Sequence, residues 1–431
     1  MSVKYVSAAE AVRCVQSGNR VFVHGSSATP VDLLEALFER KEELRGVELT
    51  SITMMGDLDL MPGFRSGAFT INSLFVSSMV REAVNSGYGD YIPVFLSEIP
   101  GLFDKHILPL DVAFIQVSPP DAHGFCSLGI SVDVAKAAVR NAKIIVAQVN
   151  PNMPRTFGDG LIKLSDIHYV VESCQKLPEI DYRKDIGETE RIIGRLCAEL
   201  IEDGSTLQMG IGTIPDAVLD SLGSHKNLGV HTEMFSNGIM HLMRSGVINN
   251  RFKKKLKGRV TSSFATGNRE LYDFIDDNTE FMFMEASYVN DGAIIRENPK
   301  VVAMNSAIEI DLTGQICSDS IGTRQFSGVG GQMDFIRGAA LSEGGKPIII
   351  MPSVTAKGVS KIVPLLKQGA GVVTTRAHAH YIITEYGVVN LFGLNLKQRA
   401  KALISIAHPD HREQLDTAAF ERFGPTFKSL M

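Results

Sequence analysis

The stretch "GSSATPVDLLEAL", residues 25–37, follows the apolar run "RVFVHG" and passes through small residues and a proline into a helical pattern. It recurs. "GIGTIPDAVLDSL", residues 210–222, aligns with it at an offset of 185, pairing Gly25 with Gly210, Pro30 with Pro215, Leu34 with Leu219 and Leu37 with Leu222. Two later pairs keep the same order. "PDAHGFCS" (120–127) resembles "IDLTGQICS" (310–318), and "NAKIIVAQVNP" resembles "GGKPIIIMPS". Three matches in one order point to duplicated halves. Around them, short apolar runs such as "DVAFIQVS", "STLQMGIG", "TEFMFMEAS" and "AGVVTT" alternate with helical patterns such as "ETERIIGRLCAELIEDG". Buried strands alternating with helices predict an α/β chain of two duplicated α/β domains, each with a largely parallel sheet. The polar stretch "QKLPEIDYRKDIGETE" (175–190) is the natural linker, which gives domains over 1–185 and 186–431.

Composition narrows the function. The chain has 431 residues, 44% hydrophobic and 21% charged, with a net charge of -5, so no electrostatic case for nucleic acid arises. The basic run "RFKKKLKGR" (251–259) reads as a solvated loop, with phosphate contact as the alternative. The cysteines Cys14, Cys126, Cys174, Cys197 and Cys317 are scattered, without zinc spacing, as expected of free thiols in a reducing compartment. The first residues lack the apolar core of a signal peptide, and no window reaches the roughly 18 apolar residues of a membrane span, so a soluble cytoplasmic protein is expected.

Several loops could carry chemistry. Gly210 and Gly212 flank Ile211 ahead of Pro215, where a helix would begin. Such a loop brings a ligand's anionic groups to backbone N–H groups at a helix N-terminus. It is equally compatible with a tight strand-to-helix turn, and it completes neither GxxxxGK[ST] nor GxGxxG. "FSGVGGQMDF" (326–335) places Gly328, Gly330 and Gly331 around Val329. It is either a flexible turn or a set of N–H groups able to hold an oxyanion. His378, His380, His408 and His411 complete no metal pattern, and no GxSxG elbow is present. The remaining candidates are carboxylates at strand ends, Glu233 and Glu285, and Glu309 beside an apolar segment. Each reads as a hydrogen-bond acceptor or as a functional group, since α/β sheets bind ligands at the carboxyl ends of their strands. An ionised carboxylate needs no activating base and can attack an activated acyl group.

Together, "SPPDAHGFCSLG" (118–129), "NPNMPRTFGD" (150–159), "GIGTIPDAV" (210–218), "HTEMFSNG" (231–238) and "FSGVGGQMDF" (326–335) resemble the acetyl-CoA hydrolase/transferase family. Within it, the chain is most similar to the 4-hydroxybutyrate CoA-transferase and butyryl-CoA:acetate CoA-transferase group. The resemblance implies a class I CoA-transferase with its active site at the interface of two related domains. It implies Glu233 as the catalytic carboxylate. Gly210, Ile211, Gly212, Thr213 and Ile214 would form the CoA-contacting loop, and Gly328, Val329, Gly330 and Gly331 the oxyanion loop, with the Val329 backbone nearest the chemistry. More distant two-subunit enzymes carry their glutamate in a Ser-Glu-Asn-Gly context, whereas this chain has Thr232-Glu233-Met234, so roles do not transfer to the neighbours. The implied reaction is a ping-pong double displacement through a glutamyl-CoA thioester. It uses acyl-CoA and short-chain carboxylic acids, with no cofactor beyond coenzyme A as co-substrate, no metal and no membrane or nucleic-acid partner. The alternative is a short-chain acyl-CoA hydrolase using the same glutamate. A homodimer is expected from the prevalence of two-fold assemblies.

Overall fold

The structure, a computed structural model, describes residues 4–427. By internal contacts the chain forms two units. The first gathers the chain up to Asp181 with Arg259–Asp291 and Gln325–Gly330; the second gathers Tyr182–Gly258, Gly292–Arg324 and the chain from Gly331 onward. The first division falls inside the polar stretch 175–190. Residues 259–291 and 325–330 belong with the first unit, so the units are not the two continuous spans 1–185 and 186–431.

The first unit holds an eight-stranded sheet: β1 (Lys4–Tyr5), β2 (Arg20–Val23), β3 (Val47–Ser51), β4 (Phe69–Ser73), β5 (Gly89–Tyr91), β6 (Val112–Val117), β7 (Ile144–Val149) and β8 (Tyr169–Glu172). Its order is β1-β8-β7-β6-β2-β3-β4-β5, and every neighbouring pair is parallel. All of β6 is buried, as its unbroken apolar reading requires of a sheet covered on both faces. The helix Val31–Glu39 buries Leu33, Leu34, Leu37 and Phe38, one face at helical spacing.

The second unit repeats the plan with β9 (Thr206–Met209), β10 (Gly229–Val230), β11 (Val301–Ser306), β12 (Lys346–Ile350), β13 (Tyr381–Thr384) and β14 (Gly387–Asn390). The order is β10-β9-β11-β12-β13-β14, parallel except for the closing β13/β14 hairpin. The run β8-β7-β6-β2-β3 in the first sheet therefore corresponds to β13-β12-β11-β9-β10 in the second. The duplication extends to single turns. Asp121 Oδ1 accepts from the N–H groups of His123 and Phe125, both at 2.9 Å, while Gly124 turns at φ 78°. Asp311 Oδ1 accepts from those of Thr313 and Gln315 at 2.8 and 3.0 Å, while Gly314 turns at φ 93°. Only a residue tolerant of positive φ closes such a turn cheaply.

Two expected elements differ. The "AGVVTT" run forms no strand: its one ladder contact among the described residues is an isolated bridge from Thr374 to Ile316, the Gly371 N–H goes to the Ser320 hydroxyl, and Val372 lies exposed. The helix expected over "ETERIIGRLCAELIEDG" spans Glu188–Ala198. In each sheet the chain changes direction beside the strand that precedes the repeated loop, between β2 and β6 and between β9 and β11. The carboxyl ends of strands at such a reversal form the crevice where open α/β sheets bind ligands.

Candidate active site

Glu233 lies just beyond the carboxyl end of β10, next to the reversal in the second sheet. The pairing of β10 with β9 continues one residue further through the His231 N–H to the Leu207 carbonyl at 3.0 Å. The chain then turns on Thr232, which is fully buried. Its hydroxyl receives the Met209 N–H at 3.2 Å and lies 3.0 Å from the Met209 carbonyl and 2.8 Å from that of Met234. One small side chain thus pins the residues either side of Glu233 to the end of β9, leaving Glu233 half-buried. Beyond it, the Ser236 hydroxyl donates to buried Asp216 Oδ1 at 2.7 Å, and Gly238 packs where a Cβ would meet Leu219 at 2.5 Å. The glutamate segment and the helix Thr213–Asp220 are locked together by these contacts.

That helix begins at the loop after β9. Gly210, Ile211, Gly212 and Thr213 are half-buried and Ile214 is buried. Gly212 sits at φ 125°, ψ 179°, a conformation essentially confined to glycine, and caps the helix without a side-chain hydrogen bond. Pro215 falls in the first turn, where its missing N–H costs nothing. The loop and Glu233 therefore leave adjacent parallel strands, β9 and β10, on the same edge of one sheet.

β10 is an edge strand, and edges need covering. The Val230 N–H donates to the Asn250 side chain at 2.8 Å, and buried Lys253 Nζ donates to the Val230 carbonyl at 2.7 Å. The run "RFKKKLKGR" is thus not simply a solvated loop: Arg251, Lys254 and Lys257 are exposed, but Lys253 is 2% exposed and closes the strand that leads to Glu233. Burial pushes the Lys253 ammonium down to about 7.

The glycine loop belongs to the first unit. Ser327 O receives the Val76 N–H at 3.4 Å, and Gly330 O that of Leu96 at 3.0 Å. Arg81 Nε donates to the Phe326 carbonyl at 2.8 Å, its guanidinium 4.0 Å from the centre of the Phe326 ring. Gly328 and Gly330 lie against Phe75; a Cβ would stand 2.9 Å and 3.2 Å from its ring. Gly330 is at φ 56°. The Val329 N–H donates to the Tyr91 hydroxyl at 2.9 Å. Gly331 immediately precedes the helix Gln332–Leu341 in the second unit.

The other carboxylates are engaged structurally. Glu285 pairs with Arg140 at 2.9 Å and accepts from the Ser287 hydroxyl at 2.6 Å. Glu309 is 2% exposed and accepts the Lys367 N–H at 2.7 Å. The histidines have separate structural partners: His378 bonds Thr375, His380 packs on Phe392, His408 caps a helix and lies 6.0 Å from the His411 ring, and His411 meets the Gly358 carbonyl. Among the described residues no group of three or more His, Cys, Asp or Glu is placed to hold a metal ion, and no helix is long and apolar enough to cross a membrane. Thr232, Tyr91 and Lys253 escaped the reading of the sequence. Thr232 at least stands inside the motif that carries Glu233; the other two offer no local signal.

An α/β chain with a strand-end glutamate beside a glycine-capped helix, and five ordered motifs around it, has close counterparts. Residues 2–180 match the acetyl-CoA hydrolase/transferase N-terminal domain and residues 267–419 the C-terminal domain of the same family. The chain belongs to the acetyl-CoA hydrolase/transferase family. It is 52% identical over 95% of its length, and 86% of the relative's, to a succinyl-CoA:acetate/propanoyl-CoA:succinate CoA transferase of Fasciola hepatica. It is 48% identical to the 4-hydroxybutyrate coenzyme A transferase of Clostridium kluyveri, covering 97% of this chain and 98% of that one. Among solved structures, the 4-hydroxybutyrate CoA-transferase of Porphyromonas gingivalis superposes with a TM-score of 0.83 at 36% identity, covering 97% of this chain and 98% of that one.

Proposed function

We propose that this chain is a CoA-transferase that moves CoA between a short-chain acyl-CoA, 4-hydroxybutyryl-CoA or butyryl-CoA, and a carboxylic acid such as acetate. The observation that carries the reading is Glu233 held at the end of β10 by Thr232, beside the Gly210–Ile214 loop on the neighbouring strand. A carboxylate fixed at that position can attack a thioester without prior activation. Its oxygen bonds to the thioester carbonyl carbon, the C–S bond breaks, and CoA thiolate leaves an acyl-glutamyl anhydride. The thiolate attacks the glutamyl carbonyl, and the donor acid departs as its carboxylate. The resulting glutamyl-CoA thioester reacts with the acceptor carboxylate by the reverse path, returning Glu233 and a new acyl-CoA. Thioester energy is kept throughout, so coenzyme A is the one co-substrate the scheme needs.

In this scheme Gly210, Ile211, Gly212, Thr213 and Ile214 contact CoA, and the amides of Gly328–Gly331 receive the negative charge on the thioester oxygen. Preorganised donors of that kind are worth about 2.7–4 kcal/mol each. Binding of the remote part of CoA supplies energy at the reacting centre. The enzyme acts in the cytoplasm, as a homodimer whose mass light scattering would report. The test is to incubate the protein with butyryl-CoA and acetate, and then with succinate, propanoate and 4-hydroxybutyrate as acceptors. Transfer produces the acceptor's CoA ester; accumulation of free CoA at the same rate with and without acceptor would assign the chain to thioester hydrolysis instead.

A further inference from the structure

The amide assigned to the oxyanion already has a partner. Val329 N–H donates to the Tyr91 hydroxyl at 2.9 Å, across 238 residues of sequence but within the first unit. Tyr91 is the last residue of β5, the edge strand of the eight-stranded sheet, and its ring is carried to the loop from a strand's carboxyl end. The loop cannot readily turn that N–H elsewhere. It is held on both sides of Val329, by the Ser327 and Gly330 carbonyls and by Phe75 against Gly328 and Gly330. A single N–H proton cannot serve a phenol oxygen and a thioester oxygen at full strength together.

We propose that Tyr91 is a positioning residue whose hydroxyl occupies the place of the thioester oxygen on Val329 and gives it up to substrate. The proposal rests on the glycine-loop reading above. A phenol oxygen is a neutral acceptor, as is the carbonyl of a bound thioester, so their exchange on the amide gains little. The tetrahedral oxyanion is charged, and charge-assisted hydrogen bonds are roughly twice as strong as neutral ones. The exchange therefore returns most of its energy in the transition state, and the hydroxyl holds down ground-state affinity without lowering turnover. It also keeps the amide satisfied and aimed while the site awaits substrate.

Tyr91→Phe tests this. With the competing acceptor gone, KM for the acyl-CoA donor should fall by about three- to tenfold, the scale of one neutral hydrogen bond. kcat should stay within about twofold, the pattern of an interaction common to ground and transition states. A fluorine on the Tyr91 ring, introduced as 3-fluorotyrosine, should shift its NMR resonance when acyl-CoA is added. A purely structural hydroxyl would lower the denaturation midpoint and leave KM unchanged. That outcome, or a tenfold loss of kcat at constant KM, would overturn the proposal. Gly330→Val, or Gly330→Ala if the valine variant fails to fold, is measured alongside. If a folded variant keeps wild-type kcat, the glycine-loop reading itself falls. If it loses turnover while Tyr91→Phe is indistinguishable from wild type, only the role of Tyr91 is rejected.

Discussion

The loops Gly25–Pro30 and Gly210–Pro215 occupy the same place in their two sheets, after β2 and after β9, and they are finished in opposite ways. Every residue from Gly25 to Pro30 is buried. The polar atoms there are consumed internally: Thr29 Oγ1 donates to the Ser26 carbonyl at 2.8 Å, Ser26 and Thr53 hydroxyls lie 2.9 Å apart, and Ser27 and Tyr272 hydroxyls 3.0 Å apart. His24, just ahead, contacts the Ser131 carbonyl and receives the Gln116 N–H. In the second loop Gly210 to Thr213 remain half-buried, although neither of the helices that follow the two loops has a side-chain cap. One copy ties its small polar residues to one another and to Thr53 and Tyr272 around the turn. The other uses glycines, which satisfy nothing and leave backbone within reach of a ligand. A duplicated element therefore does not imply a duplicated site, and the chemistry is expected where the turn is open.

The largest effect should come from the glutamate beside the open loop. Glu233→Asp keeps the charge but draws the carboxylate back by one methylene, and misplacement of that order can cost about 10²-fold in rate. Glu285→Asp should cost far less, since Arg140 and Ser287 engage that carboxylate. Equal losses at both positions would undo the distinction. The covalent intermediate sharpens it further. With acyl-CoA present and acceptor withheld, borohydride or hydroxylamine should inactivate the enzyme, and peptide mass spectrometry should place the change within residues 227–238. A label on a cysteine or serine would reject the glutamyl route.

A smaller effect separates the two loops directly. Gly212→Ala forces a Cβ into φ 125°, a strain of about 1–3 kcal/mol. The loop must then shift, and KM for acyl-CoA should rise by up to about tenfold, the equivalent of 1.4 kcal/mol. Ser27→Ala removes a buried hydroxyl bond from the closed loop and should lower stability by about 1 kcal/mol while KM holds. Steady-state kinetics and urea denaturation on both variants decide the matter. A KM effect at Ser27 matching that at Gly212 would mean that the closed turn is also part of the site.

What the sequence revealed follows from what is local. Buried parallel strands such as β6 and β7 are near-continuous apolar runs, and the repeated turns at Asp121 and Asp311 carry their own glycine and carboxylate, so both were legible. β3 and β4, "VELTS" and "FTINS", mix polar residues into the pattern and gave no comparable signal. "AGVVTT" has strand composition but pairs through a single bridge, Thr374 to Ile316, and pairing is a tertiary property. The same division runs through the candidate site residues. Glu233 and the two glycine loops were visible as motifs. Thr232 could be valued only once β9 and β10 were side by side, and Tyr91 only once a strand edge met a loop 238 residues away. The reassignment of 259–291 and 325–330 to the first unit is of that second kind.

Lys253 is where the basic run departs most from its reading, and its replacement should change turnover least and stability in a pH-dependent way. Its ammonium is buried on the Val230 carbonyl, and burial lowers it from an ordinary 10.5 to about 7. Below about 7 the folded and unfolded chains both hold the proton, and the folded state bears the full cost of a buried charge. Between about 7 and 10.5 the unfolded chain keeps the proton and the folded chain releases it. Stability rises with pH wherever the unfolded state binds more protons. Relative to Lys253→Met, which does not titrate, the wild-type protein should therefore gain up to about 1.4 kcal/mol per pH unit across that window. Urea denaturation of both proteins at pH 6, 7.5 and 9 gives the difference directly. The methionine variant should compare most favourably at pH 6 and lose ground steadily above 7. A difference that stays flat with pH would mean that Lys253 keeps its proton throughout. The cover on β10 would then be a charged clasp, and the strand leading to Glu233 would be insensitive to pH from that side.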